Sequence, residues 1–346
     1  MSGRPENPGR GAGAGPAEPQ VVIVGAASRD LAPDDPRGWR LGGGVTYAAL
    51  TSARLGVRTA AVMGLDPQAR DAPELELLAA AGVILLRVPL PHGPVFRNLE
   101  SSRGRVQACV DPGRPLPLVV MPGAWRVARA WILAPVAGEL DEAWADAILA
   151  DAYVGLGWQG LLRVLRAGAD VTRLAPSAGR LVQRADVVSL SEHDVAPGTR
   201  PEELARFLHP GALLVVTRGA AGGQVAEVTG RGIGRVVGYP AVAAAREVDA
   251  TGAGDTFLAA LVASVVHRKQ GAAPTPAPAG GMKVAGGAWP APDLRFAAAA
   301  ASFTVEGPGL QAVPDRAAVM RRLAGQAGQP FSEPPSSSTY SAKAPR

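Results

Sequence analysis

Apolar residues recur along this chain in two alternating forms: short unbroken runs, and longer stretches spaced three and four apart. "VVIVGAA" at 21–27 is of the first form and ends in glycine, as expected of a strand buried on both faces of a parallel sheet. "VTYAALTSARLG" at 45–56 predicts a helix closed by glycine, "VRTAAVMG" a second strand, "PELELLAAAG" a helix and "VILLRVPL" a third strand. This β-α-β-α-β rhythm predicts a doubly wound sheet.

The rhythm breaks at 94–110. "PVFRNLES" and "GRVQACV" are extended stretches joined by a short polar link, and they predict a β-hairpin laid over one edge of the main sheet as a cover. The alternation then resumes. "RAWILAPV", "DAYVGLG", "ADVVSLS" and "ALLVVTRG" read as strands, with helices over "DEAWADAILA" and "PEELARFL" between them. Residues 256–269 carry Phe257, Leu258, Leu261, Val262, Val265 and Val266 at helical spacing, so a long apolar helix begins within or just after "GAGD".

Three stretches lack any such pattern: residues 1–20, the Pro/Gly/Ala-rich 271–292, and 327–346. They predict two tails and an inserted loop around one domain at 21–326. Of the 346 residues, 47% are apolar, enough for a sizeable core. The net charge of +5 comes from scattered arginines with few aromatics between them, which argues against a nucleic-acid surface. A single cysteine, Cys109, excludes an internal disulfide, and the four histidines show no ligand spacing. No apolar run is long enough to span a bilayer and no signal peptide is evident, so a cytoplasmic protein without a membrane partner is expected.

The chemistry concentrates at the start of the long helix. Free N–H groups and the positive end of the helix dipole favour an anion there, and small residues let it approach the backbone. Gly252, Ala253 and Gly254 therefore suit a phosphate, and Asp255 suits a base taking a proton from an attacking hydroxyl. Taken alone, "GAGD" also fits a plain tight turn whose aspartate complements the dipole. The first 268 residues contain no lysine, which excludes from them a Gly-Lys-Ser/Thr phosphate loop and a protein-kinase strand lysine. A dinucleotide site is disfavoured too, because no glycine cluster follows a strand and opens a helix in the required way.

The longer string "DATGAGDTF", 249–257, resembles the C-terminal signature of the PfkB, or ribokinase-like, carbohydrate kinases at every fixed position. "RLGGGVTYAALTSARLG" resembles the family's N-terminal signature, "GAASRD" its Gly-x-x-x-x-Asp after the first strand, and "VTRGAAG" its Thr-x-Gly-x-x-Gly. The resemblance implies a three-layer α/β/α ribokinase-like fold with a central, mostly parallel, doubly wound sheet and a small β lid. It implies an ATP-dependent kinase acting on a sugar or polyol, with Asp255 as catalytic base and Gly252, Ala253 and Gly254 as anion hole. Asp30 and the Gly42–Gly43 backbone would hold the substrate, together with Tyr47, which stands where many relatives have asparagine, and with Phe96 and Asn98 of the lid. Thr217, Gly219 and Gly222 would lie by the nucleotide phosphates, and "AAAAASFTVEGPG" beside adenine. Glu192 would hold Mg2+ through water, with Ser189 in place of the family's asparagine, and the neighbourhood of Asp249 would bind a monovalent cation such as K+. The lid is also a candidate homodimer contact. Two alternatives stand beside this reading: a nucleoside kinase of the same family, and a non-catalytic sugar or nucleotide sensor. The aromatic Tyr47, with "FRN" in the lid, leans towards inositol-like polyols.

Overall fold

The computed structural model describes residues 18–101, 104–269 and 291–325. Residues 1–17, 102–103, 270–290 and 326–346 lie outside the described residues, so most of the expected insert, most of the expected N-terminal tail and all of the expected C-terminal tail fall there. Gln20 belongs to the fold: it is buried, and its side-chain oxygen accepts from the Arg58 amide.

The chain opens with β1 (Val21–Ala26), turns through β2 (Ser28–Leu31) and β3 (Trp39–Gly42), and enters α1 (Gly44–Arg54). It continues through β4 (Thr59–Leu65), α2 (Glu74–Ala80) and β5 (Ile84–Pro89) to the hairpin β6 (Pro94–Ser101) and β7 (Gly104–Pro112). Then come α3 (Gly123–Arg126), β8 (Ala130–Leu133), α4 (Ala143–Asp146) and β9 (Tyr153–Gly157). Three two-residue strands follow, β10 (Arg163–Val164), β11 (Ala169–Asp170) and β12 (Thr172–Arg173), and then α5 (Arg180–Arg184), β13 (Val187–Ser191), α6 (Pro201–Ala205) and β14 (Leu213–Thr217). The described chain closes with β15 (Gly223–Thr229), β16 (Gly232–Tyr239), α7 (Ala253–Arg268), α8 (Ala291–Thr304) and α9 (Arg316–Gly325).

Nine strands form the main sheet in the order β16-β15-β14-β13-β9-β8-β1-β4-β5. Every pairing from β14 to β5 is parallel, and β15 and β16 add an antiparallel edge. Alternation along the strands feeds two cores. Val21, Ile23, Ala61, Met63 and Ile132 face α1, α7 and α8, whereas Val22, Val24, Val62, Trp131 and Leu133 face Trp125, Trp144 and Leu181. The result is a three-layer α/β/α sandwich, as expected. One layer holds the long helices. The other is thin: "DEAWADAILA" keeps only the four residues of α4, pinned by Trp144, whose indole Nε1 donates to Leu116 O at 3.1 Å.

From β1 the chain first winds outwards to β4 and β5, then returns to β8 on the other side of β1 and winds the opposite way. The carboxyl ends of β1 and β8 therefore form the switch point of the sheet, where open α/β folds place their ligands. Buried Glu139 stitches that point together. Its carboxylate accepts from Ala26 N at 2.8 Å, Val136 N at 3.1 Å and Ala137 N at 2.8 Å.

The lid is larger than the expected hairpin. β6 and β7 belong to a five-stranded sheet ordered β11-β7-β6-β2-β3, so residues 28–42 are lid as well. Asp30 pairs with Phe96 across the parallel β2–β6 contact. Nothing in "SRDLAPDDPRGWRLG" shows the period of a strand, because its pairing is bought by distant partners and not by a local apolar face.

Two substitutions probe this frame. Glu139→Ala leaves three backbone donors at the switch point without their acceptor and is expected to cost about 2–4 kcal/mol in urea unfolding; unchanged stability would refute the clamp. Gly252 has φ +79°, and a Cβ there would lie 2.2 Å from the Tyr47 ring. Gly252→Ala is expected to lose roughly 2 kcal/mol or more, of which about 1–2 kcal/mol belongs to the left-handed backbone. Adding Tyr47→Ala should relieve the clash and leave the backbone part, read as a coupling energy in a double-mutant cycle.

Candidate active site

α7 starts from Gly252, which precedes its first turn in the left-handed conformation, and Asp255 sits in that turn. The N–H groups of a first helical turn have no partner within the helix. A Cβ on Gly254 would meet nothing within 4 Å, so this turn opens outwards. α1 starts beside it. Gly43 (φ +91°) precedes it, and a Cβ on Gly44 would lie 2.8 Å from Asp255 Oδ1 and 3.2 Å from the Ala134 side chain. Two helix N-termini thus converge on one carboxylate at the switch point.

Burial pushes the Asp255 carboxyl up to about 6; the nearby Arg163 cation opposes this, and Asp194 and Asp30 add to it. Those four charged groups come from β2, β10, the turn after β13, and α7. Arg163 lies with its guanidinium 5.8 Å from the centroid of the Phe96 ring, and its Nη1 donates to Val136 O at 3.2 Å. Asp194 Oδ1 accepts from Gln159 Nε2 at 3.0 Å, and its Oδ2 accepts from Ser191 N at 2.8 Å.

The substrate candidates cluster on the lid side. Asp30 Oδ1 accepts from Ser28 Oγ at 3.0 Å, and a Cβ on Gly42 would fall 2.2 Å from Asp30 Oδ2. The backbone of Gly42 therefore lies directly against the Asp30 carboxylate. Phe96 is buried with Cys109 and Val136, and Asn98 Oδ1 accepts from Gln107 Nε2 at 2.9 Å. Tyr47 is 1% exposed and lies behind the glycine turn, its ring against Gly252. Its place is thus under the backbone of the glycine turn and not on an open wall.

The nucleotide candidates lie at the ends of the next strands. Thr217 ends β14 opposite Ser191 of β13, with its hydroxyl donating to Leu190 O at 3.4 Å. Gly219 and Gly222 both have positive φ, and the turn they form closes through Arg218 N donating to Gly222 O at 2.7 Å. Glu192 is exposed, 3.6 Å from Arg218 Nε. Asp249 Oδ1 accepts from the amide of Thr251 at 2.9 Å and from its hydroxyl at 2.6 Å. Val248 and Asp249 both donate to Val305 O, which brings the loop after α8 alongside. No group of three or more His, Cys, Asp or Glu side chains among the described residues could hold a metal by itself. Exposed Glu192 offers carboxylate oxygen, the donor Mg2+ favours when phosphates and water complete its shell.

Every predicted site residue except Tyr47 thus lies along one edge, the carboxyl ends of the central strands and the lid above them. Sequence reading missed Arg163, Asp194 and Glu139. "SEHD" does carry a helix-cap pattern, and Ser191 and Asp194 do form a capping box. "GWQGLLRVLR" carries no signal for Arg163, which is defined by long-range neighbours alone.

Residues 164–316 match the model of the pfkB family carbohydrate kinases. No curated protein matches the chain by sequence. Among solved structures, a pyrophosphate-dependent kinase of the ribokinase family complexed with a pyrophosphate analogue and myo-inositol is 20% identical, over 86% of this chain and 98% of its own, with a TM-score of 0.62. Arabidopsis thaliana ribokinase complexed with ribose and ATP is 21% identical over 88% and 98%, TM-score 0.58. A nucleoside kinase of Methanocaldococcus jannaschii is 15% identical over 88% and 98%, TM-score 0.59. With the lid and the sheet order in place around that match, the chain has the ribokinase-like fold, and residues 164–316, the glycine turn among them, are similar to the pfkB family carbohydrate kinases.

Proposed function

We propose that this kinase transfers the γ-phosphoryl group of ATP to a hydroxyl of a sugar or polyol, with Asp255 as the base. The observation that carries the reading is the placing of Asp255, a carboxylate raised to about 6 at the point where the starts of α1 and α7 meet. A carboxylate costs free energy there unless it accepts a proton at the moment a negative phosphoryl group arrives.

Asp30 accepts hydrogen bonds from substrate hydroxyls, and the Gly42–Gly43 backbone lets the ring come close. Phe96 and Asn98 close the site from the lid, and Tyr47 supports the turn from behind. The attacking hydroxyl gives its proton to Asp255 as its oxygen bonds to the γ-phosphorus, and the bond from that phosphorus to the β-bridging oxygen breaks, releasing ADP. The amides of Gly252, Ala253 and Gly254 meet the charge on the phosphoryl oxygens. Thr217, Gly219 and Gly222 receive the remaining phosphates. Mg2+, when bound, neutralises phosphate charge; Glu192 would hold it through water, and Asp249 with the loop at Val305 would serve K+. The lid closing over the substrate keeps out competing water.

A sugar or polyol is favoured over a nucleoside because the lid's Phe96 is 1% exposed and faces Arg163, which leaves its ring unavailable for stacking a base. The neighbour holding myo-inositol supports a polyol, and that neighbour also makes pyrophosphate the donor to test beside ATP.

The deciding assay offers inositols, pentoses, hexoses and nucleosides with ATP or pyrophosphate. Turnover confined to a sugar or polyol, reduced about 10³-fold in Asp255→Asn, is the expected result. Turnover on nucleosides alone, or saturable binding with none, would replace the reading with one of its alternatives.

The raised carboxyl sets the pH dependence. Below about 6, Asp255 is protonated and cannot take the hydroxyl proton, so kcat/KM should fall tenfold per pH unit there. Its folded value lies above the ordinary 3.8, so the folded state binds the extra proton and loses stability as pH rises from about 4 through 6. Asp255→Asn should therefore melt higher than wild type at pH 7.5 and equally at pH 3.5, with a rise of about 2–4 °C per kcal/mol relieved. A lower melting point at pH 7.5 would contradict the buried, raised carboxyl.

A further inference from the structure

Arg163 occupies the centre of the site and belongs to none of the signature motifs. It begins β10, and the electrostatic neighbours of its half-buried guanidinium are, in order of strength, Asp194, Asp255, Asp30 and Glu139. None of these carboxylates forms an ion pair with it among the described residues. Its one side-chain hydrogen bond there runs from Nη1 to Val136 O, and its only ring contact is with Phe96. A guanidinium carries five N–H donors; Arg163 is half-buried, and its nitrogens beyond the Nη1 bond are not sealed away from the open site, so they can meet an incoming acceptor. The arrangement is consistent when acceptor oxygens arrive with a ligand.

The charge balance says which oxygens. Asp30, Asp194 and Asp255 already line the site, so a polyphosphate donor entering it meets three carboxylates. With no lysine before Lys269, arginine must supply any side-chain cation from the body of the sheet. Arg218, on the nucleotide side, is more exposed and lies against Glu192. Arg163 is the cation beside Asp255. Hydroxyls give up their protons to carboxylates such as Asp30, whereas the planar fork of arginine matches the oxygens of a phosphoryl group.

We propose that Arg163 is a catalytic residue of this kinase that contacts the transferring phosphoryl group, donating its free N–H groups to the phosphoryl oxygens while Asp255 takes the hydroxyl proton. It supplements the backbone amides of the glycine turn from the opposite, lid-facing side. The proposal rests on the kinase reading above, and its test is chosen so that the two can fail separately.

The full chain is titrated calorimetrically with inorganic pyrophosphate and with ATP–Mg2+, and assayed with the acceptor that is turned over. Arg163→Gln, Arg163→Lys and Arg206→Gln, the last an exposed arginine stacked on Phe207, are compared with wild type. Arg163→Gln should weaken pyrophosphate binding at least about tenfold and lower kcat about 100-fold, with the acceptor KM little changed. Arg163→Lys, which keeps the charge and loses the fork, should fall between, and Arg206→Gln should behave as wild type. Phosphate affinity and kcat within threefold of wild type in Arg163→Gln, or an effect confined to the acceptor KM, would overturn the proposal. So would a wild-type chain that binds neither phosphate ligand. Should Arg163→Gln fail to fold by circular dichroism, Arg163→Lys decides, and unchanged phosphate binding in it overturns the contact. If wild type binds pyrophosphate but phosphorylates nothing, the kinase reading fails while the binding comparison still judges Arg163.

Discussion

The closeness of two helix starts governs this structure. α1 and α7 leave the same end of the sheet, and their first turns meet so tightly that a methyl group on Gly44 would lie 2.8 Å from Asp255 Oδ1. A side chain at either of the two positions, Gly44 or Gly252, would separate them, through Asp255 in one case and the Tyr47 ring in the other. What the approach yields is a pair of positive helix ends focused on one spot. What it costs is a carboxylate drawn out of water. The helix dipoles and Arg163 offset part of that cost, and the rest is visible as the raised Asp255.

The packing below the turn explains how so exposed a feature stays in place. One residue after Asp255, the Thr256 hydroxyl accepts from Thr51 of α1 at 3.3 Å and from Thr304 of α8 at 3.1 Å, and all three are fully buried. Three helices are thus tied by hydroxyls immediately beneath the Asp255 carboxylate. Buried polar groups that satisfy one another fix a unique arrangement, whereas an apolar trio would tolerate sliding. Glu139 does the same for β1 and β8 with backbone donors.

Much of this was legible in the chain. The β1, β4, β8, β9, β13 and β14 runs are largely apolar strands whose burial needs only local pattern, and "GAGD" shows its turn in the residue types themselves. Legibility fails where function depends on distant partners. Glu139 in "AGELDEAW" looks like any acid before a helix, and only the fold brings Ala26 to it across 113 residues. Arg163 is ambiguous for the same reason. The short helices were overestimated because "DEAWADAILA" and "PEELARFL" have helical spacing, while the connections around them leave room for little more than a turn.

The lid shows how a missed strand changes the mechanism. Asp30 stands on β2, which pairs with β3 on one side and β6 on the other, so it belongs to the lid sheet and not to the main one. Its neighbour Arg29 reaches back to buried Asp66 at the end of β4, at 2.9 Å. Asp66 in turn accepts from the Gln68 and Ala69 amides, so the anchor is rigid on the core side. In the proposed reaction the residue that grips the substrate hydroxyls and the strand that covers them are therefore one body, hinged through Gly42 and Gly43 to the start of α1. Phe96 lies on that same sheet, opposite Asp30 across β2–β6, with the Arg163 guanidinium over its ring. The proposed substrate grip, its cover and the proposed base are thus joined by covalent continuity over the fifteen residues from Asp30 to Gly44, with no need of a longer path through the core.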